Sequence, residues 1–151
     1  MKYKPHDMKD YGGSYQYPDF PLDSGITPSD PSFVPYHGNC QCKAVTYTAY
    51  LPSLSETAVE QCNCSICTSN GYLRAYAQIP DVVFHSGEDS LATYTFNRHQ
   101  RLHKFCQRCG SSILVDRTGA GMADLWMNVR MFKDVDLNGL RYKVFDGKNL
   151  L

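Results

Sequence analysis

The residues of this chain best suited to chemistry are its 7 cysteines, which fall in three tight groups. Cys40-Gln41-Cys42 comes first, Cys62-Asn63-Cys64-Ser65-Ile66-Cys67 second, and Cys106-Gln107-Arg108-Cys109 last. Cys-x-Cys and Cys-x-x-Cys groups in a reducing compartment read as metal sites, and an odd total fits disulfide pairing badly. Two pairs supply four thiolates, the complement of a structural zinc. A trio supplies three, the number a catalytic zinc typically keeps beside an open position. Four plus three predicts two zinc ions, one holding the fold and one facing chemistry.

Geometry sets conditions on both sites. Zn–S bonds of about 2.3 Å at tetrahedral angles put two sulfurs about 3.8 Å apart. Alternate residues of a strand lie about 6.6 Å apart. Cys40 and Cys42 can share an ion only if the chain bends, and Gly38-Asn39 offers a bend. Cys106 to Cys109 suits a tight turn, with Gly110 free to take a positive φ. Joining these pairs on one ion closes a long loop, where a clip stabilises most in principle. Cysteine is also among the most buried residue types, but free core thiols have no reason to fall at ligand spacing twice. Cys62, Cys64 and Cys67 can all reach one metal if their segment coils around it. On spacing alone the trio is equally well a second structural site closed by His37, His85, His99 or His103, and nothing selects one of them.

These groups must be positioned by a small framework. A chain of 151 residues makes one domain. Its formal net charge is zero, so the balance points neither to nucleic acid nor to an anionic membrane surface. No apolar h-region follows Met1-Lys2-Tyr3-Lys4, and no apolar run is long enough to span a bilayer, so neither a signal peptide nor a membrane span is expected. The expected location is the cytoplasm, with the nucleus left open.

Residues 1–34 form an N-terminal extension rich in Tyr, Pro and Gly, and residues 35–151 form the zinc domain. The extension reads first as a disordered leader. The sharper reading is an arm that lays its tyrosines over the body or a neighbouring subunit, which keeps a homo-oligomer open. Segments 43–50, 57–61, 72–79, 82–85, 91–96, 101–105, 111–115, 125–129 and 141–145 read as short strands. Residues 65–69 and 135–140 read as single helical turns. Strands this short and frequent, with turn residues between them, predict a mainly β domain.

The motifs resemble a known family. His37-Gly38-Asn39-Cys40-Gln41-Cys42-Lys43-Ala44-Val45, the trio with Gly71, Ser86-Gly87-Glu88-Asp89-Ser90-Leu91 with Tyr94 and Phe96, and Phe105-Cys106-Gln107-Arg108-Cys109-Gly110-Ser111 follow in order over about residues 36–132. They resemble the family that groups the glutathione-dependent formaldehyde-activating enzymes with centromere protein V. The resemblance implies a small zinc-pinned domain of short antiparallel strands, like the fold of a Rab-binding nucleotide-exchange accessory protein. It implies a structural zinc on Cys40, Cys42, Cys106 and Cys109 and a catalytic zinc on Cys62, Cys64 and Cys67. It implies a carbon–sulfur lyase acting on S-hydroxymethylglutathione or a related thiol adduct. Lys43 stands where the family often has glycine, and Thr68-Ser69-Asn70 where it often has arginine. Arg74, Lys104 and Arg130 are the candidate replacements for that cation.

Three thiolates put net negative charge on the site. That weakens its acidity towards water and favours soft sulfur ligands, hence C–S chemistry over hydrolysis. A proton carrier is needed, and Tyr72, Tyr76, His85 and His103 are of suitable type. The alternative function is a non-catalytic binding module that associates with chromatin or cytoskeleton, like centromere protein V; a third is a metal-dependent fold without activity. Polyanionic partners favour a basic extension, and here Asp7, Asp10, Asp19, Asp23 and Asp30 offset Lys2, Lys4 and Lys9.

Overall fold

The computed structural model describes residues 15–150. Tyr11, Gly12, Gly13 and Ser14 of the tyrosine-rich stretch lie outside the described residues, with everything before them. The architecture is mainly β. Strands β1 (Val34–Asn39), β2 (Thr46–Leu51) and β5 (Val82–Ser86) form a three-stranded sheet in the order β1-β2-β5. The other seven, β3 (Val59–Cys62), β4 (Leu73–Gln78), β6 (Leu91–Tyr94), β7 (Leu102–Cys106), β8 (Ser112–Asp116), β9 (Asp124–Asn128) and β10 (Tyr142–Phe145), form a sheet ordered β10-β3-β4-β9-β8-β7-β6. Helix α1 (Ser65–Asn70) realises the turn predicted at 65–69 and carries Cys67 of the trio. The predicted turn at 135–140 is a short 3-10 turn, Leu137–Gly139. Helix α2 (Gly147–Leu150) carries no signal of period at so short a length.

Antiparallel pairing holds for every strand pair but one: β10 runs parallel to β3. Parallel partners need a long crossover, and β3 and β10 lie at opposite ends of the domain sequence. Alternation of side chains reports which face is buried and carries no information about strand direction. Segment 91–96 also pairs for less of its length than predicted, because Thr95 and Phe96 leave the sheet beyond Tyr94.

Two cores lie on opposite faces of the larger sheet. Leu73, Ala75 and Ala77 of β4 and Leu125 and Met127 of β9 join Val45, Tyr47, Ala49 and Leu51 in the main core. Trp126, between Leu125 and Met127, points the other way and packs with Cys62, Cys67, Tyr72 and Val115. The period of two along a strand thus assigns the outer cysteines and the trio to different environments. Cys40 and Cys106 lie in the main core, the trio in the second.

The described part of the extension packs on the body, unlike a disordered leader. Phe20 stacks on His37 at 4.8 Å. The Ser24 hydroxyl pairs with the Tyr50 hydroxyl at 2.7 Å, and Ser29 donates from its N–H and hydroxyl to the buried Asp81 carboxylate. These contacts cover the second face of β2, which is why polar Thr46 and Thr48 are buried. Tyr15 lies over the first cysteine turn. Its hydroxyl donates to the Gln41 carbonyl and accepts from Asn39, and the Lys43 amine sits 5.1 Å from its ring.

Gly87 locks the β5–β6 connection onto that same turn. Its φ is +76°, and a Cβ there would lie 2.8 Å from the Ala44 carbonyl carbon and 2.9 Å from the Val45 Cα. Backbone cannot yield as a flexible side chain can. Gly87→Ala is expected to lower the unfolding free energy by roughly 2 kcal/mol or more, read from denaturant unfolding of the metal-loaded protein.

Candidate metal centres and the adjoining clefts

The Sγ atoms of Cys40, Cys42, Cys106 and Cys109 lie within 4.8 Å of one another. Two turns bring them together. Residues 40–45 reverse the chain between β1 and β2, with Lys43 N–H donating to the Cys40 carbonyl and Cys40 N–H to the Val45 carbonyl. This bend is what alternate strand residues lack. It also explains the glycine expected after the first pair, since Lys43 adopts φ +67°. Beyond β7, Gly110 N–H donates to the Cys106 carbonyl at 2.8 Å, and Gly110 takes φ +78° as its position requires. The Gln41 N–H donates to the Ser111 hydroxyl and ties the two turns together.

The donor set suits zinc. Cys40 and Cys42 sulfurs are 3.5 Å apart, and those of Cys42 and Cys106 are 3.8 Å apart. A tetrahedral ion with thiolate ligands requires about 3.8 Å. Cys40 and Cys109 hold their protons unequally. Burial pushes the Cys40 thiol up to about 12. Burial also acts to raise Cys109, but bonds from Ser111 and from backbone N–H groups outweigh it and bring that thiol to about 6. A soft cation holds all four as thiolates, and its binding releases protons.

Cys62, Cys64 and Cys67 form the second group, their sulfurs also within 4.8 Å of one another. Cys62 ends β3, Cys64 occupies the N-cap position of α1, and Cys67 lies within that helix. Gly71, at φ +62°, caps α1 and turns the chain into β4. The Arg130 guanidinium donates to the Gly71 carbonyl and holds this turn. Burial pushes the Cys62 and Cys67 thiols up. Burial acts on Cys64 in the same sense, but the N–H groups that open α1 and the neighbouring thiols outweigh it and hold Cys64 below the ordinary thiol range. Three sulfurs at this spacing fit three corners of a tetrahedron.

Among the described residues, no histidine, fourth cysteine or carboxylate joins the trio's group. His37 and His85 both bond the Thr48 hydroxyl, on the smaller sheet. His99 bonds Thr95 on an exposed loop. His103 is the histidine that shares a cleft with the trio, through Cys64, and it also lines the neighbouring cleft.

Two clefts flank α1. One, of about 480 Å³, is lined by Ile66, Tyr72, Tyr94, Phe96, His103 and Phe105, with Lys104 and the serines around them. The other, of about 370 Å³, is lined by Cys64 together with Arg98, Arg101 and Lys148. Ser65, Phe96 and His103 belong to both. His103 is only 8% exposed, and its Nδ1 is buried with no hydrogen-bond partner among the described residues. Burial, and then the nearby Arg101, lower its pKa below the usual imidazole value.

Of the four proton-carrier candidates, Tyr72 packs in the core of the trio and His103 shares a cleft with Cys64. His85 lies on the other sheet, and Tyr76 donates its hydroxyl to the Glu60 carboxylate. The candidate cations also separate. Arg74, 1% exposed, pairs with Glu60 and stacks 3.9 Å from the Trp126 ring, so its charge is used internally. Arg130 holds Gly71. Lys104 lines the first cleft, its amine bonding the Thr93 hydroxyl at 2.7 Å. Sequence reading passed over Arg98, Arg101 and Lys148, because only the fold brings residue 148 beside 98 and 101.

A small β domain carrying two all-sulfur clusters with the geometry of metal ligands is the class that this fold and these sites define. The model of the glutathione-dependent formaldehyde-activating enzyme family matches residues 35–138, and the chain belongs to that family. The fold is also similar to that of a Rhodobacter sphaeroides protein of known crystal structure. The TM-score is 0.61 at 24% identity, over 71% of this chain and 99% of that one. Among the described residues, no helix is long and apolar enough to cross a membrane.

Proposed function

We propose that the chain is a zinc-dependent carbon–sulfur lyase acting on a small thiol adduct of the S-hydroxymethylglutathione kind. The outer pairs hold a structural zinc, and Cys62, Cys64 and Cys67 hold a substrate-facing one. The observation that carries this reading is the trio itself: three converging sulfurs, no fourth His, Cys or carboxylate among the described residues, and a cationic cleft on Cys64. Bound there, zinc supplies a soft Lewis acid that favours sulfur as its further ligand. Arg98, Arg101 and Lys148 bind the carboxylates of the thiol half. His103 accepts the proton of the adduct's hydroxyl. As that O–H ionises, the carbon–oxygen double bond forms, the C–S bond breaks, and its electron pair stays on sulfur. The reverse sequence joins thiol and aldehyde. His103 suits the role because its lowered pKa keeps the imidazole neutral at pH 7. The reducing cytoplasm, or the nucleus, is the proposed location, where such thiolates persist.

The test joins metal content by mass spectrometry with turnover of the formaldehyde–glutathione adduct. Two zinc ions per chain with turnover support the reading; one zinc and no response to any thiol adduct overturn it. His103→Gln is expected to lower turnover by about 10²- to 10⁴-fold. The wild-type rate falls as pH drops through the lowered imidazole pKa, because protonation removes the base. That acid limb disappears in His103→Gln.

A further inference from the structure

The larger cleft is poorly matched to a one-carbon fragment. Its volume is about 480 Å³. A water molecule occupies about 30 Å³ of liquid, and a hydroxymethyl group is of similar scale. Ser65, Ser69, Asn70, Lys104 and Ser112 form one part of the lining, but the rest is an aromatic wall that so small and polar a group leaves unused. Tyr94 and Phe96 stack with ring centres 5.8 Å apart and an interplanar angle of 18°, yet they are 53% and 39% exposed. Phe96 lies 5.6 Å from the ring of His103, which lines both this cleft and the one that Cys64 lines. Ile66 and Phe105 supply apolar wall beside them. Aromatic faces left towards a cleft gain most from another flat apolar group.

The two clefts differ in chemistry and meet at Ser65, Phe96 and His103. One is cationic and touches Cys64; the other is aromatic. A thiol adduct has two halves that differ in the same way when its carbonyl fragment is large and apolar. Pockets of this size that set apolar walls beside placed polar groups are those that bury small molecules.

We infer that the aromatic cleft seats a ring carried on the carbonyl carbon, so that the adduct handled here is the hemithioacetal of a thiol with an aromatic aldehyde. For the reaction this rests on the lyase reading above; for binding it does not. The chemistry balances without oxidant or reductant. In R–S–CH(OH)–aryl the C–S bond breaks and its electron pair goes to sulfur. The hydroxyl proton passes to His103 and on to the thiolate, and the products are RSH and the aryl aldehyde.

Two stable thioethers test the cleft without turnover. S-benzylglutathione carries the ring on the sulfur-bound carbon and has no hydroxyl, so it cannot be cleaved by this route; S-methylglutathione lacks the ring. Calorimetric titration of the zinc-loaded full chain is expected to show the benzyl compound binding about 10- to 100-fold tighter, the ratio for removing one phenyl ring from water. Tyr94→Ala and Phe96→Ala remove exposed side chains, so both should fold. In the double variant the ratio should shrink to within about twofold of unity. Equal affinities in the wild type would sink the inference, and so would a preference that survives the double variant. Turnover of the formaldehyde adduct without benzyl preference removes the inference and leaves the lyase reading. Benzyl preference without turnover of any adduct removes the lyase reading and leaves only the ring-binding half of the inference.

Discussion

Cys106→Ser is expected to leave the chain without its cooperative fold. Cys106 is fully buried in the main core, and its sulfur lies 3.8 Å from that of Cys42, 64 residues earlier. The outer cysteines join the turn after β1 to the end of β7, which belong to different sheets. Structural zinc contributes about 10–16 kcal/mol in small domains, while whole domains are stable by only about 5–15 kcal/mol. A serine hydroxyl is a poor zinc ligand, and here it would also be buried without a designed partner, so both effects act in one direction. Near-ultraviolet circular dichroism and zinc stoichiometry provide the measurement: loss of the native near-ultraviolet signal together with loss of zinc. A variant that keeps its native spectrum and a cooperative melt with no metal would show that the β core holds by itself.

Cys64→Ser is expected to separate activity from folding. Cys64 is only half-buried and occupies the N-cap position of α1. Serine is a preferred residue there, so the helix start loses nothing. Zinc affinity at the trio should fall steeply and adduct turnover by at least about a hundredfold, given that even residues behind a ligand change such sites 10- to 100-fold. The outer zinc and the melting temperature should stay close to wild type. Full turnover in Cys64→Ser would remove the trio from the chemistry. Cys67→Ser is a poorer probe, because Cys67 is buried in the second core and its loss mixes packing with ligation.

The contrast between these variants follows from where alternation along the strands places each group. Of the outer cysteines, Cys40 and Cys106 enter the core that two sheets share; the trio packs in a smaller one beside clefts. The absent arginine after the trio fits the same picture. Thr68, Ser69 and Asn70 leave α1 without a cation, and Arg98, Arg101 and Lys148 bring charge to the trio from other segments.

Much of this was determined by the sequence alone. Metal-ligand spacing is a local property, so the Cys40/Cys42 pair, the Cys106/Cys109 pair and the trio are each legible in the chain, and the count of four thiolates joins the two pairs. Turn chemistry is local as well, and Gly110 adopts the positive φ expected of it. Short alternating segments were enough for a mainly β domain. Long-range placement was left to the tertiary structure. Strand direction leaves no mark on alternation, so β10 alongside β3 came only from the fold. Arg74 looks like any other cation until Glu60 and Trp126 are seen to enclose it. His85 and His103 are the same chemical group, and only packing puts one on Thr48 and the other beside the trio. Ligand spacing is written over a few residues of chain. The shape and charge of a cleft are written by residues that meet only after the chain has closed.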